Sequence, residues 1–150
     1  HYESMIGEAS ILAIFISSIT GTAGNAGTQS LAVAVRRLAE KEEDQPSWYK
    51  QFLTEFSTGL LTGFVTGLTI CLIVGIWKQN FVLGFVIGMA MMCAITVANL
   101  AGSFIPNLMD RIGVDPAVAS GPFISTLSDL TSVLIYFNIA KLFMQFLMGK

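Results

Sequence analysis

The sequence predicts an all-α membrane protein, a polytopic helix bundle with four spans. Apolar residues make up 53% of the 150 residues and charged residues only 12%, and four long runs are almost free of charge. About 20 consecutive apolar residues cross the hydrocarbon core of a bilayer as a helix, so each run is long enough. The spans are expected near residues 9–35, 56–77, 81–104 and 117–147.

The first run contains a stretch without large apolar side chains, residues 21–30, which read GTAGNAGTQS. Within a bilayer every backbone polar group needs a partner, and small polar residues are tolerated where they face protein or water. This stretch is therefore a candidate pore lining. We expect Gly24 and Gly27 to bring the backbone close to an ion path.

The second and third runs carry small residues at every fourth position. Such rows allow two helix backbones to approach closely and favour packing within one bundle over a direct role in transport. The rows consist of Gly59, Gly63 and Gly67 in the second run, and Gly84, Gly88, Ala94, Ala98 and Gly102 in the third.

The fourth run contains Asp129, which is the only formal charge between Asp115 and Lys141. A carboxylate at the centre of a membrane helix costs at least about 2.5 kcal/mol, and such residues usually face the bundle interior and mark ion pathways. Ser125 and Ser132 lie four residues before and three residues after it, which predicts a polar stripe on one helix face. Asp129 is the leading candidate for an ion-binding residue.

A structural role for Asp129 is the alternative. The carboxyl group would then be protonated, or hydrogen-bonded to Asn99, Thr96 or Thr131, and would only tie helices together. Ion conduction is favoured over this interpretation because charges are so costly in lipid.

The distribution of basic residues predicts the orientation. By the positive-inside rule, the loops at 36–55 and 105–116 are cytoplasmic and both termini are outside. An outside N-terminus without a signal peptide is explained if a further span precedes His1, so we expect five spans in the parent protein. The basic residues of the two loops are Arg36, Arg37, Lys41, Lys50 and Arg111.

Three other classes of function are weighed against a channel. A cation- or proton-coupled secondary transporter, in which Asp129 titrates during alternating access, is the nearest alternative. A membrane-embedded assembly subunit would give no flux. An enzyme is not expected, since the sequence has no evident nucleophile–base pair or metal-ligand cluster and its only histidine is His1.

The expected partners are the lipid bilayer and divalent cations, not nucleic acid.

Two separate segments resemble one known family. Residues 24–30, GNAGTQS, followed by Arg36, resemble the signature of the MgtE family of magnesium channels. Residues 113–117, GVDPA, and 121–122, GP, with Ser125, Thr126 and Asp129 after them, resemble the final cytoplasmic loop and last helix of that family. The resemblance implies a multi-pass protein of the bacterial inner membrane. It also implies a homodimer with an ion path at the two-fold interface, lined by the first and last spans present here.

The resemblance also implies roles for particular residues. Asp129 matches the pore aspartate that holds hydrated magnesium, and Gly24 and Ser125 match positions whose backbone faces the ion path. Thr28 matches a polar pore-lining position, and Asp115 matches a loop acid that faces regulatory domains. The family's first transmembrane helix and its cytoplasmic N-terminal and CBS domains lie outside these 150 residues.

A carboxylate suits magnesium as the transported ion. Mg²⁺ dehydrates reluctantly and usually keeps several waters, so Asp129 can hold it through them. A two-fold dimer would place two copies of Asp129 at the axis, balancing one divalent charge. An inside-negative potential contributes about 2 × 2.3 kcal/mol per 100 mV to inward movement, so passive conduction needs no other energy source.

Overall fold

The computed structural model describes residues 2–40 and 46–147, and the side chains of residues 10–40 and 46–143. This part of the chain is helical and contains no strand. It forms α1 (Tyr2–Glu40), α2 (Trp48–Trp77), α3 (Phe81–Arg111), a short 3₁₀ turn (Pro116–Val118) and α4 (Gly121–Leu147). All four long helices are long and apolar enough to cross a membrane. The predicted all-α membrane bundle is thereby confirmed.

The first three helices extend beyond the expected spans, whereas α4 begins at Gly121, four residues later than expected, because a short 3₁₀ turn occupies Pro116–Val118. Helix α1 continues to Glu40, α2 begins at Trp48, and α3 runs through Pro106 to Arg111. The expected spans stop where charged residues begin, but the hydrogen bonds of a helix backbone continue past the hydrocarbon boundary. As a consequence, Glu55 lies inside α2 and not in a loop.

Helix α3 is the centre of the bundle. In its most apolar 18-residue window 61% of the residues are buried, against 28% in each of the other three helices. It packs against α1, α2 and α4, whereas α2 packs mainly on α3. The main core gathers apolar side chains from all four helices, among them Ile19, Val74, Ile87, Ile95 and Tyr136. Because α3 is covered on most sides, the outward faces available for function belong to the other helices.

The glycine rows hold α2 against α3, as the spacing predicts. A Cβ atom built on Gly63 would lie 2.7 Å from the carbonyl oxygen of Met92, and one built on Gly59 would lie 3.0 Å from the Cα of Thr96. No side chain larger than hydrogen fits at these positions without moving a backbone. This is the close approach that small residues allow between membrane helices.

One end of the bundle carries most of the basic residues of the described chain, including all of its arginines, and we call it the basic end. It contains the last turns of α1 and α3 and the first turns of α2 and α4. Arg37 reaches Glu55 of α2, and the guanidinium carbon of Arg111 lies 4.2 Å from the ring centroid of Trp48. The prediction that this end faces the cytoplasm follows from these positive charges.

Candidate functional site

The four residues predicted to line an ion path lie on one seam between α1 and α4. Gly24 is buried, and a Cβ atom built on it would lie 3.1 Å from Oγ of Ser125 and 3.6 Å from Oδ1 of Asp129. The methyl carbon Cγ2 of Thr28, one turn further along α1, lies 3.9 Å from the position of a Cβ on Gly121. The structure therefore brings Gly24, Ser125 and Asp129 together and places Thr28 beside them.

Asp129 is exposed and lies within the membrane-crossing part of α4. It accepts no hydrogen bond from the residues that the structure describes. The three side chains considered as structural partners bond elsewhere. Asn99 donates to Oε2 of Glu55 at 3.1 Å, while Thr96 and Thr131 donate to carbonyl groups of their own helices. The carboxylate is thus available to a ligand on the outer face of the seam.

The face of α1 beside Asp129 is polar and points out of the bundle. The amide side chains of Asn25 and Gln29 form no hydrogen bond within the described ranges 10–40 and 46–143. Amide groups at membrane depth need water or protein as partners, so this face is poorly suited to lipid. The exposed polar residues of this face are Ser17, Ser18, Asn25 and Gln29, with the exposed Gly21 between them.

The predicted polar stripe on α4 ends earlier than expected. Ser132 is fully buried and donates to the carbonyl oxygen of Ser128 at 2.5 Å, so its inclusion beside Asp129 is wrong. Beyond Asp129 the same helix face is covered by α1, where the hydroxyl of Tyr136 donates to the carbonyl oxygen of Leu12 at 2.9 Å. Near Asp129 the facing residue is Gly24, which has no side chain to cover the carboxylate.

The two glycines of the opening motif have different surroundings. A Cβ atom on Gly27 would lie 2.9 Å from Oγ of Ser128, 3.1 Å from Cγ2 of Ile124 and 3.2 Å from the carbonyl oxygen of Ala98. Gly27 is therefore a packing residue where α1, α3 and α4 meet, and a Cβ on it would point into this contact and not toward the Asp129 carboxylate. Gly24 alone faces the carboxylate.

The sequence analysis did not identify a buried charged residue, Glu55, because the second span was expected to begin at residue 56. Glu55 is only 8% exposed and contacts Arg37 of α1. One signal could have found it: the row Gly59, Gly63, Gly67, extended backwards by four residues, reaches Glu55, which places it on the buried face of α2.

We expect Gly24→Val to lower divalent flux by roughly tenfold, because a branched side chain would press on Ser125 and displace the Asp129 carboxylate, and a loss of about 1.4 kcal/mol in the interaction with the ion is a tenfold change. Flux into liposomes, normalised to folded protein, measures the effect.

Ala39→Val is the control for folding, since Ala39 is exposed at the basic end of α1, away from the seam. Gly84→Ala is unsuitable as a mild control, because its Cβ would overlap the carbonyl of Cys71 and lie 3.0 Å from the amide nitrogen of Gly75. Unchanged flux in folded Gly24→Val protein would show that this glycine does not border the path.

Comparison with known proteins gives a consistent result. Residues 16–139 match a family model described as MgtE, divalent cation transporter. The chain is 71% identical over 146 residues to the magnesium transporter MgtE of Enterococcus faecalis, a match that covers 97% of this chain. It is 37% identical over 143 residues to the protein of the same name from Bacillus subtilis, covering 95% of this chain. It is also 37% identical over 146 residues to that of Thermus thermophilus, covering 96%.

The chain spans about a third of the length of these relatives, 32% in each case. The family model, by contrast, covers most of the chain and extends from α1 into α4. The matched residues include the whole seam formed by Gly24, Thr28, Ser125 and Asp129. The chain belongs to the MgtE family of divalent cation transporters.

Proposed function

We propose that this chain is the transmembrane ion-conducting domain of a channel for hydrated Mg²⁺. One observation carries the proposal: an exposed carboxylate, Asp129, lies at membrane depth on the α1–α4 seam beside Gly24 and Ser125. Such a charge is costly in lipid and marks ion pathways when it faces a wet cavity. The relatives bear the name magnesium transporter, which supports Mg²⁺ as the transported ion.

The geometry suits binding through water. Asp129 projects from the seam without a fixed partner, so its oxygens can accept hydrogen bonds from the waters around a Mg²⁺ ion. The half-buried hydroxyl of Ser125 and the exposed amide of Asn25 supply further polar groups at the same level. An ion that keeps its waters is held weakly and leaves readily, which conduction requires.

A second copy of the chain would complete the path. The polar outward face of α1 and the carboxylate of Asp129 both need a cover other than lipid. A two-fold dimer places the same face of each copy opposite itself, so two copies of Asp129 would flank one divalent ion. The two negative charges would balance the charge of Mg²⁺.

The channel is distinguished from a coupled transporter by how flux depends on gradients. Purified protein in planar bilayers should give unitary Mg²⁺ currents that follow the electrochemical gradient alone, because an inside-negative potential contributes about 4.6 kcal/mol per 100 mV for a divalent ion. Collapsing the proton gradient should leave the currents unchanged.

Three other results would contradict the proposal. Saturable flux that stops when the proton gradient is removed, without unitary currents, would indicate a secondary transporter. No flux at all from folded protein would indicate an assembly subunit. Flux of monovalent ions that exceeds Mg²⁺ flux would indicate a different cargo.

A further inference from the structure

We propose that Glu55 is a positioning residue for ion conduction: it fixes the half of α1 nearest the basic end against α2 and α3, and thereby sets the seam between α1 and α4. The inference rests on the proposed function. The four residues Glu55, Ser30, Arg37 and Asn99 form what we call the Glu55 cluster.

Each oxygen of the Glu55 carboxylate has its own partners. Oε1 lies 3.5 Å from Nη1 of Arg37, and Oε2 accepts a hydrogen bond from Oγ of Ser30 at 3.3 Å. Oε2 also accepts from Nδ2 of Asn99 at 3.1 Å, and the same amide donates to the backbone carbonyl of Glu55 at 2.8 Å. One side chain of α2 is thus bound to both α1 and α3.

The cluster acts on the helix that carries the ion-path face. Ser30 and Arg37 lie seven residues apart, which is two turns on one face of α1. Thr28 and Gly24 belong to the same helix, within two turns of Ser30. A continuous helix moves as a stiff element, so a shift of α1 at Ser30 would also move Gly24 relative to Asp129.

Glu55 is unsuited to binding the ion itself. Its side chain is nearly buried, both of its oxygens are engaged, and the guanidinium of Arg37 already balances its charge. The Glu55 side chain is 10% exposed and that of Arg37 is 38% exposed, so only the carboxylate is buried. Such a pair stabilises little compared with apolar packing, but removal of Arg37 leaves the buried carboxylate without a counter-charge. We therefore expect the Glu55–Arg37 pair to hold α1, α2 and α3 in one arrangement.

Substitution Glu55→Gln tests this role, because the amide keeps the shape and one acceptor oxygen but loses the charge. We expect the maximal Mg²⁺ flux in liposomes to fall at least fivefold, with the half-saturating Mg²⁺ concentration unchanged within twofold. Glu40→Gln is the matched control: Glu40 is exposed and forms a surface pair with Arg36 at 2.9 Å. It should change flux by less than twofold.

A cross-linking measurement reports the position of α1 without any flux. Cysteines introduced by Thr28→Cys and Gly121→Cys, in a background with Cys71→Ser and Cys93→Ser, should form a disulfide across the seam. We expect Glu55→Gln to slow this reaction at least threefold and Glu40→Gln to leave it unchanged. Because this readout does not depend on conduction, it separates a failure of the inference from a failure of the proposed function.

Arg37→Gln tests the other half of the pair and serves if Glu55→Gln protein does not fold. It should reduce flux and cross-linking as Glu55→Gln does, and the double variant should fall no further than the more impaired single variant, because both changes break the same ion pair. Multiplicative losses would overturn the inference. Unchanged cross-linking in the Glu55→Gln or Arg37→Gln protein would also overturn it. A shifted half-saturating Mg²⁺ concentration with normal maximal flux would overturn it too, because that result would make Glu55 an ion-binding group.

Discussion

Asp129→Asn is expected to reduce divalent flux about a hundredfold while leaving the protein folded. A divalent ion about 5 Å from one carboxylate gains several kcal/mol at an effective dielectric constant near 20, and a loss of about 2.8 kcal/mol corresponds to a hundredfold change. Asparagine keeps the size of the side chain and its hydrogen-bonding capacity, so only the charge is tested. Flux of Mg²⁺ into liposomes, normalised to folded protein, measures the effect.

Folding should be unaffected, because Asp129 is exposed and bonds to no other residue of the described structure. Asp129→Glu should retain part of the flux, since it keeps the charge but moves it by one methylene. Asp110→Asn makes the same chemical change at an exposed residue of the basic end and should conduct normally. Normal flux in folded Asp129→Asn protein would remove Asp129 from the ion path.

Gly102→Val is expected to prevent correct folding. A Cβ atom on Gly102 would overlap the carbonyl of Gly27 and lie 3.0 Å from the amide nitrogen of Leu31. These are backbone atoms of α1, which cannot step aside as a flexible side chain can. Overpacking typically costs about 1–3 kcal/mol and more where backbones must separate, against a total stability of about 5–15 kcal/mol.

Size-exclusion chromatography and thermal unfolding in detergent measure this effect. Ala39→Val is the control, because it introduces the same side chain into a helix of the bundle at an exposed position near the basic end. The control should unfold at the temperature of the unmodified protein. If Gly102→Val matched the control, the close contact between α1 and α3 would be dispensable.

The seam residues were predictable from the sequence because each carries its own chemical signal. Asp129 is a charge inside an apolar run, and Gly24 and Thr28 lie in a stretch that lipid alone would not accommodate. Ser125 follows from its spacing to Asp129 on a helix. The family resemblance added the expectation that all four residues share one ion path, and the structure places them on one seam.

Glu55 and Ser132 show where such signals fail. Both residues are polar, yet both are buried. The carboxylate of Glu55 is paired with Arg37, and the hydroxyl of Ser132 donates to a carbonyl of its own helix. Their surroundings depend on which neighbouring helix covers them. The glycine row places Glu55 on the packed face of α2, but nothing in the sequence identifies the helices that cover that face.

The number, type and approximate length of the membrane helices were therefore determined by the sequence alone, because hydrophobicity over about 20 residues is a local property. Helical periodicity also determined which residues share a face, as for Gly59, Gly63 and Gly67. Only the tertiary structure decided whether a face is covered or open. That choice depends on contacts between helices distant in sequence, which left Asp129 exposed opposite Gly24 and buried Glu55 between α1 and α3.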